Sequence, residues 1–163
     1  MKILKNRNPA VPGFKAAGLN CGIKTDCIKD LALIVSESPA NAAAVFTKNR
    51  VVSPGVTWSR RALGKSGSCR AVIVNSGNAN AVTGSKGLKD CDAITKKIAQ
   101  ELGILQTEVF IASTGIIGVP LPSHKILQAT PKLVSSLGGK AKNWTDASEA
   151  IMTTDLVSKS DRI

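Results

Sequence analysis

Three features of the sequence predict a mixed fold of the α/β or α+β class. Apolar runs of strand length alternate with helical segments, one segment is strongly amphipathic over four turns, and two strand ends dissolve into small residues. The first 28 residues are rich in Gly, Pro, Asn and Lys and read as extended chain and turns. Residues 30–36 (DLALIVS) and 42–47 (AAAVFT) read as two strands, joined by a turn at Ser38-Pro39-Ala40-Asn41. Pro54 opens a helix that runs through Trp58 to Leu63, because proline suits the first helical turn. Residues 68–75 form a strand that leads into an Asn- and Gly-rich loop, 75–84. Leu88, Cys91, Ile94, Ile98 and Leu102 then recur at steps of three and four, which defines a helix closing near Gly103. A further strand, 107–113 (TEVFIAS), collapses into a second small-residue loop, 113–118, ended by Pro120 and Pro122. A helix over 123–137 is expected to bend or restart at Pro131. Gly138-Gly139 breaks it, and a last helix covers 145–153.

The bulk properties narrow the function classes. A length of 163 residues suffices for one domain with a real core. A 43% apolar content and a mean hydropathy of +0.07 fit a globular protein. The longest apolar run, Leu31 to Val35, is far too short to span a bilayer, so no membrane partner is expected. The net charge of +11 raises nucleic acid as a partner. The basic residues are scattered, however, and the group Lys2, Lys5 and Arg7 has no aromatic series beside it for base stacking. An acidic partner chain would offset the same excess. Cys21, Cys27, Cys69 and Cys91 form no CxxC pair and His124 is the sole histidine, which argues against a metal site. Cysteine usage of this kind points to reduced thiols inside the cell, and Cys91 falls on the core face of its helix.

Two stretches carry candidate chemistry. Ser113-Thr114-Gly115 offers a hydroxyl donor next to an unshielded glycine N–H, the two parts of an oxyanion hole for a carbonyl oxygen turning negative. On spacing alone the same three residues read more readily as a chain reversal, and the asparagines of 75–84 as side chains that satisfy their own backbone. Neither stretch has the spacing of a phosphate loop.

Four collinear blocks bear on this choice. Ala44-Val45-Phe46-Thr47-Lys48-Asn49-Arg50, Asn75-Ser76-Gly77-Asn78-Ala79-Asn80-Ala81, Ala112-Ser113-Thr114-Gly115-Ile116-Ile117-Gly118 and Ala150-Ile151-Met152-Thr153-Thr154-Asp155 stand in order along the chain. Together they resemble the ornithine acetyltransferase/glutamate N-acetyltransferase family of arginine biosynthesis. The resemblance implies an α+β fold, an α/β sandwich of the self-processing type, of which residues 1–163 would be a single, incomplete α-chain domain. It implies a cytoplasmic acetyltransferase that moves an acetyl group from N-acetylornithine to glutamate through a threonine exposed by self-cleavage, with no cofactor except acetyl-CoA as donor in bifunctional members. It implies a β chain from the same precursor as partner, in an αβ heterodimer that pairs as α2β2. Thr114 and Gly115 would then form the oxyanion hole, and Thr153 would contact the substrate.

The block pattern breaks after Asp155, where the family continues Thr-x-Pro-Lys. This implies a divergent tail from about 156, a truncated or frameshifted reading frame or an incomplete product, without the nucleophilic threonine. Two alternatives stand beside the acetyltransferase: a related N-terminal-nucleophile aminopeptidase or amidase, and a non-catalytic truncated product. Purified alone, residues 1–163 are expected to transfer no acetyl group from N-acetylornithine to glutamate, and turnover by the isolated chain would overturn the placement of the nucleophile.

Overall fold

A computed structural model describes residues 10–155. The basic group Lys2, Lys5 and Arg7 and the tail read from 156 lie outside the described residues.

Four strands form one mixed sheet in sequence order. The strands β1 (Phe14–Leu19), β2 (Leu31–Asn41) and β3 (Ser68–Asn78) run antiparallel to their neighbours. The fourth, β4 (Val109–Ile116), lies parallel to β3. Parallel neighbours require a crossover, and helix α2 (Gly84–Leu102) supplies it, followed by a single 3-10 turn at Gln106–Glu108. Helix α1 (Pro54–Ser66) precedes β3, and α3 (Ser123–Ser135) and α4 (Ala141–Ala150) follow β4. The fold is α+β.

The predicted spacing on α2 works as a buried stripe. Cys91, Ile94, Ile98 and Ala99 pack with Leu31, Leu33, Ile73, Val109 and Ile111 from one face of the sheet and with Ile126 and Leu133 from α3. The other face carries a smaller cluster, Ala16 and Ala32 against Ala147 and Ala150 of α4. Its fully buried positions are all alanine because α4 sits almost on the backbone there, with Ile34, Val74 and Trp144 packed around them. A Cβ on Gly18 would lie 2.1 Å from the Asp146 carbonyl oxygen. Lys29 reinforces the contact with ion pairs of 2.6 Å to Asp146 and 2.6 Å to Glu149. Burial works against the Asp146 charge, but hydrogen bonds from Lys142 and Lys29 outweigh it and hold the carboxyl below its usual range. That contribution is therefore present above the ordinary carboxylate pKa and is lost as pH falls through the lowered value.

Several sequence expectations are corrected. The first 28 residues contain β1, hidden because its buried positions are alanines and a glycine rather than large apolar residues. Residues 42–47 form no strand, and Ser38-Pro39-Ala40-Asn41 is no turn. Instead β2 continues to Asn41, with a register shift against β3 between Val35 and Ala40. Proline is tolerated there because β1 pairs only as far as Ser36, so Pro39 has no ladder bond to give on that side. Both predicted strand-end loops begin as strand: β3 runs to Asn78 and β4 to Ile116. Helix α3 passes through Pro131 and ends at Ser135. Helix α4 starts at Ala141, directly behind Gly138-Gly139, and stops at Ala150, so Thr153 lies beyond it.

The Gly18 contact makes a direct prediction. Gly18→Ala should lower stability by about 1–3 kcal/mol in urea denaturation and shift the emission of Trp144 on α4, because the helix must lift off the sheet.

Candidate active site

The two small-residue stretches lie side by side. Parallel pairing sets Asn75 against Ser113, Ser76 against Thr114 and Gly77 against Gly115. The two glycines stand directly opposite each other. Gly115 has φ +134°, and a Cβ there would lie 2.3 Å from the Gly77 carbonyl carbon and 2.5 Å from the Asn78 nitrogen. No other residue type fits this position. The asparagines hold the arrangement together. Ser113 Oγ donates to Asn75 Oδ1 at 2.7 Å, and Asn75 Nδ2 donates to the Asn78 carbonyl at 2.8 Å. Asn78 Oδ1 accepts from the Asn80 N–H at 2.8 Å, and Asn80 Nδ2 reaches the Gly87 carbonyl of α2 at 3.2 Å. Asn75, Asn78 and Asn80 are all buried. They are therefore scaffold, and it is the backbone-satisfying reading of these asparagines that the geometry supports.

The orientation of β4 follows from its neighbour α1. Ser59 Oγ accepts from the Ile111 N–H at 3.1 Å and donates to the Ile111 carbonyl at 3.0 Å. Odd-numbered positions of β4 thus turn their peptide groups away from β3, and Gly115 falls in the same phase. Continued to Gly115, this alternation directs its N–H away from β3. The Thr114 hydroxyl has no hydrogen-bond partner among the described residues.

A cavity of about 640 Å³ lies at this strand end, lined by Thr114, Gly115, Gly77, Lys24 and Thr153, with Thr154 beside them. All three residues singled out from the sequence, Thr114, Gly115 and Thr153, meet in it. Thr153 arrives from the segment that follows α4, which is tied down at two points. Ser76 Oγ donates to the Ala150 carbonyl at 2.6 Å, and Lys24 Nζ donates to the Met152 carbonyl.

One residue that sequence reasoning passed over organises the near wall. Asp30 is fully buried, and its carboxylate accepts from the backbone N–H groups of Cys21 at 2.6 Å, Ile23 at 2.6 Å and Lys24 at 2.8 Å. The available signal was an acidic residue placed directly before an apolar strand, which the strand assignment absorbed. Cys21 is a poor nucleophile here, since burial and the Asp30 charge push its thiol up to about 12. Burial likewise raises Cys91 to about 12. Among the described residues no group of three or more His, Cys, Asp or Glu side chains could hold a metal ion, and no helix is long and apolar enough to cross a membrane.

These features define an α+β domain with a backbone cradle and a free hydroxyl at the end of a parallel strand pair. Comparison with known proteins supplies the rest: residues 15–163 match the ArgJ family, and the chain belongs to it. It is 46% identical over 156 residues to the arginine biosynthesis bifunctional protein ArgJ of Caldanaerobacter subterraneus, covering 95% of this chain and 38% of that protein. It is 47% identical over 148 residues to the ArgJ protein of Chlorobaculum tepidum, covering 90% of this chain and 36% of the relative. The chain thus spans less than two fifths of the length of these relatives. Among solved structures, ArgJ of Bacillus halodurans superposes with a TM-score of 0.88 at 36% identity, over 96% of this chain and 82% of that one. The ornithine acetyltransferase of Mycobacterium tuberculosis, complexed with ornithine, gives 0.87 at 41% identity, over 93% and 82%.

The glycine contact is testable. Gly115→Ala should cost roughly 3 kcal/mol or more in chemical denaturation, because the methyl group both clashes with β3 and demands a backbone angle closed to alanine.

Proposed function

We propose that this chain is the α-chain portion of a cytoplasmic acetyltransferase of arginine biosynthesis, which moves an acetyl group from N-acetylornithine to glutamate. The observation that supports it most strongly is the convergence of Thr114, Gly115 and Thr153 on one cavity of about 640 Å³, with the Thr114 hydroxyl uncommitted. The relatives' name and the ornithine bound to the Mycobacterium tuberculosis structure point the same way.

In this reading the nucleophile is the N-terminal threonine of a β chain released from the same precursor by self-cleavage. Its hydroxyl oxygen attacks the acetyl carbonyl carbon while its own amine takes the proton. The carbonyl π electrons move onto oxygen, and the Thr114 hydroxyl and Gly115 N–H donate to the charge that forms there. Collapse breaks the C–N bond as the threonine ammonium returns its proton to the leaving nitrogen, so ornithine departs as the amine and an acetyl-enzyme remains, which the glutamate amine then attacks by the same route in reverse. Thr153 contacts the substrate. The scheme requires no cofactor, and acetyl-CoA serves as a second donor if the enzyme is bifunctional. The β chain docks along the open edge of β4, where Ile116, Ile117 and Val119 are 64%, 65% and 49% exposed, and the heterodimer pairs as α2β2.

In the protein assembled with its β chain, Thr114→Ala should lower kcat for acetyl transfer about 10²-fold and slow self-cleavage on a denaturing gel. An unchanged rate would reduce Ser113-Thr114-Gly115 to a piece of strand. Preference for peptides over N-acetylornithine would instead favour the aminopeptidase alternative.

A further inference from the structure

Among the described residues, Lys24 is the one cationic side chain on the wall of the cavity that holds Thr114, Gly115 and Thr153. Its placement is tightly built. The Asp30 carboxylate fixes the backbone leading into it through the N–H groups of Cys21, Ile23 and Lys24 itself. Its aliphatic stem then crosses Gly77, where an added Cβ would meet Lys24 Cγ at 3.1 Å and Ile23 Cγ2 at 3.0 Å. The ammonium emerges at the boundary of two cavities, the one of about 640 Å³ and a neighbour of about 500 Å³ lined by Lys29, Glu149 and Asp155. Lys24, Ile28 and Thr153 belong to both walls.

Within ion-pair distance the charge has no acidic partner among the described residues, although Glu149 and Asp155 line the neighbouring cavity with it. Lys29 nearby is paired with Asp146 and Glu149, whereas Lys24 makes no ion pair with any described residue. Its hydrogen bonds go to two neutral carbonyls, that of Met152 and, at 3.5 Å, that of Lys29. An ammonium has three donors, so one is left for the cavity. Burial also lowers the Lys24 pKa, with the more distant Asp30 charge pulling the other way. A half-buried cation that lacks a counter-ion and faces a cavity is complementary to an anionic ligand group. Every amino-acid substrate carries one such group at neutral pH, its carboxylate.

We infer that Lys24 binds the α-carboxylate of the amino-acid substrate in this cavity, and so sets which end of the molecule enters against Thr114 and Gly115. The inference rests on the acyl-transfer reading for the identity of the substrate. It assigns Lys24 to the permanent charge of the ligand, not to the transient charge on the acetyl oxygen.

The test is binding by the 163-residue chain itself, followed by NMR at the lysine ε-carbons and the amides of Gly77 and Gly115. N-acetylornithine is compared with N-acetylputrescine, the same skeleton without the carboxylate. The Lys24 signal should move saturably with N-acetylornithine and at least about tenfold more weakly with N-acetylputrescine. Lys24→Met should weaken N-acetylornithine binding by roughly tenfold or more at the Gly77 and Gly115 amides, and Lys24→Arg, which keeps the charge and the carbonyl contact, should restore most of it. Equal affinity for the two ligands, no saturable binding, or a Lys24→Arg chain as weak as Lys24→Met would each overturn the inference. Failure of acetyl transfer in the assembled enzyme, with carboxylate-dependent binding intact, would count against the acyl-transfer reading alone.

Discussion

The close approach of Gly77 and Gly115 is the constraint from which the site is built. Position 115 admits no side chain, since even a methyl group there would sit 2.3 Å from the Gly77 carbonyl carbon. The two glycines face each other in the one parallel strand pair among the described residues, and the same register sets Thr114 beside Ser76. The same glycine takes φ +134°, and the alternation set at Ile111, continued through it, directs its N–H away from β3.

A second buried group does the corresponding work on the opposite wall. Asp30 carries a charge with no accessible surface, and such a group is tolerable only when hydrogen bonds replace its water. Three backbone N–H groups of one loop do so, and the Asp30 carbonyl also accepts from the Ser76 N–H at 2.9 Å. The loop is thereby locked against the end of β3. Ser76 passes the constraint onward to Ala150, and Lys24 to Met152. Thr153 is held near Thr114 by one side chain from the end of β3 and one from the loop after β1, although it belongs to no helix or strand itself.

The parts of this fold legible in the sequence are those that large apolar residues write. The stripe on α2 was clear because its periodicity and its burial coincide at Cys91, Ile94 and Ile98. The strand β1 was not, because a helix lying on the backbone selects Ala16, Ala17 and Gly18, which resemble linker composition. The error at 42–47 came from β-branched and aromatic residues that have no partner strand, since propensity says nothing about pairing. The small-residue stretches were read as loops for a related reason: Asn and Gly are poor strand formers, yet here buried amide hydrogen bonds and a glycine-only contact sustain the ladder to Asn78 and Ile116. Of the candidate site, Thr114, Gly115 and Thr153 were named from the family blocks. Lys24 and Asp30 were invisible because their partners are backbone atoms, which no residue pattern records.

The edge of β4 connects the site to whatever covers the rest of this surface. Helix α1 satisfies the near half of that edge through Ser59 and through Trp58 Nε1, which donates to the Val109 carbonyl at 3.2 Å. The helix stops short of Ser113 and Gly115, and an open edge next to exposed Ile116 and Ile117 is a surface on which another strand can pair. On the acyl-transfer reading proposed above, pairing and catalysis compete for the same atom, because a strand in ordinary register would consume the Gly115 N–H. On that reading a productive partner must leave the ladder before position 115, with its chain end directed toward Thr114. The proposed N-terminal nucleophile meets that requirement better than an internal residue would. A chain that begins at the edge would have no preceding residues to pair and would carry its own amine to the spot where the proton goes.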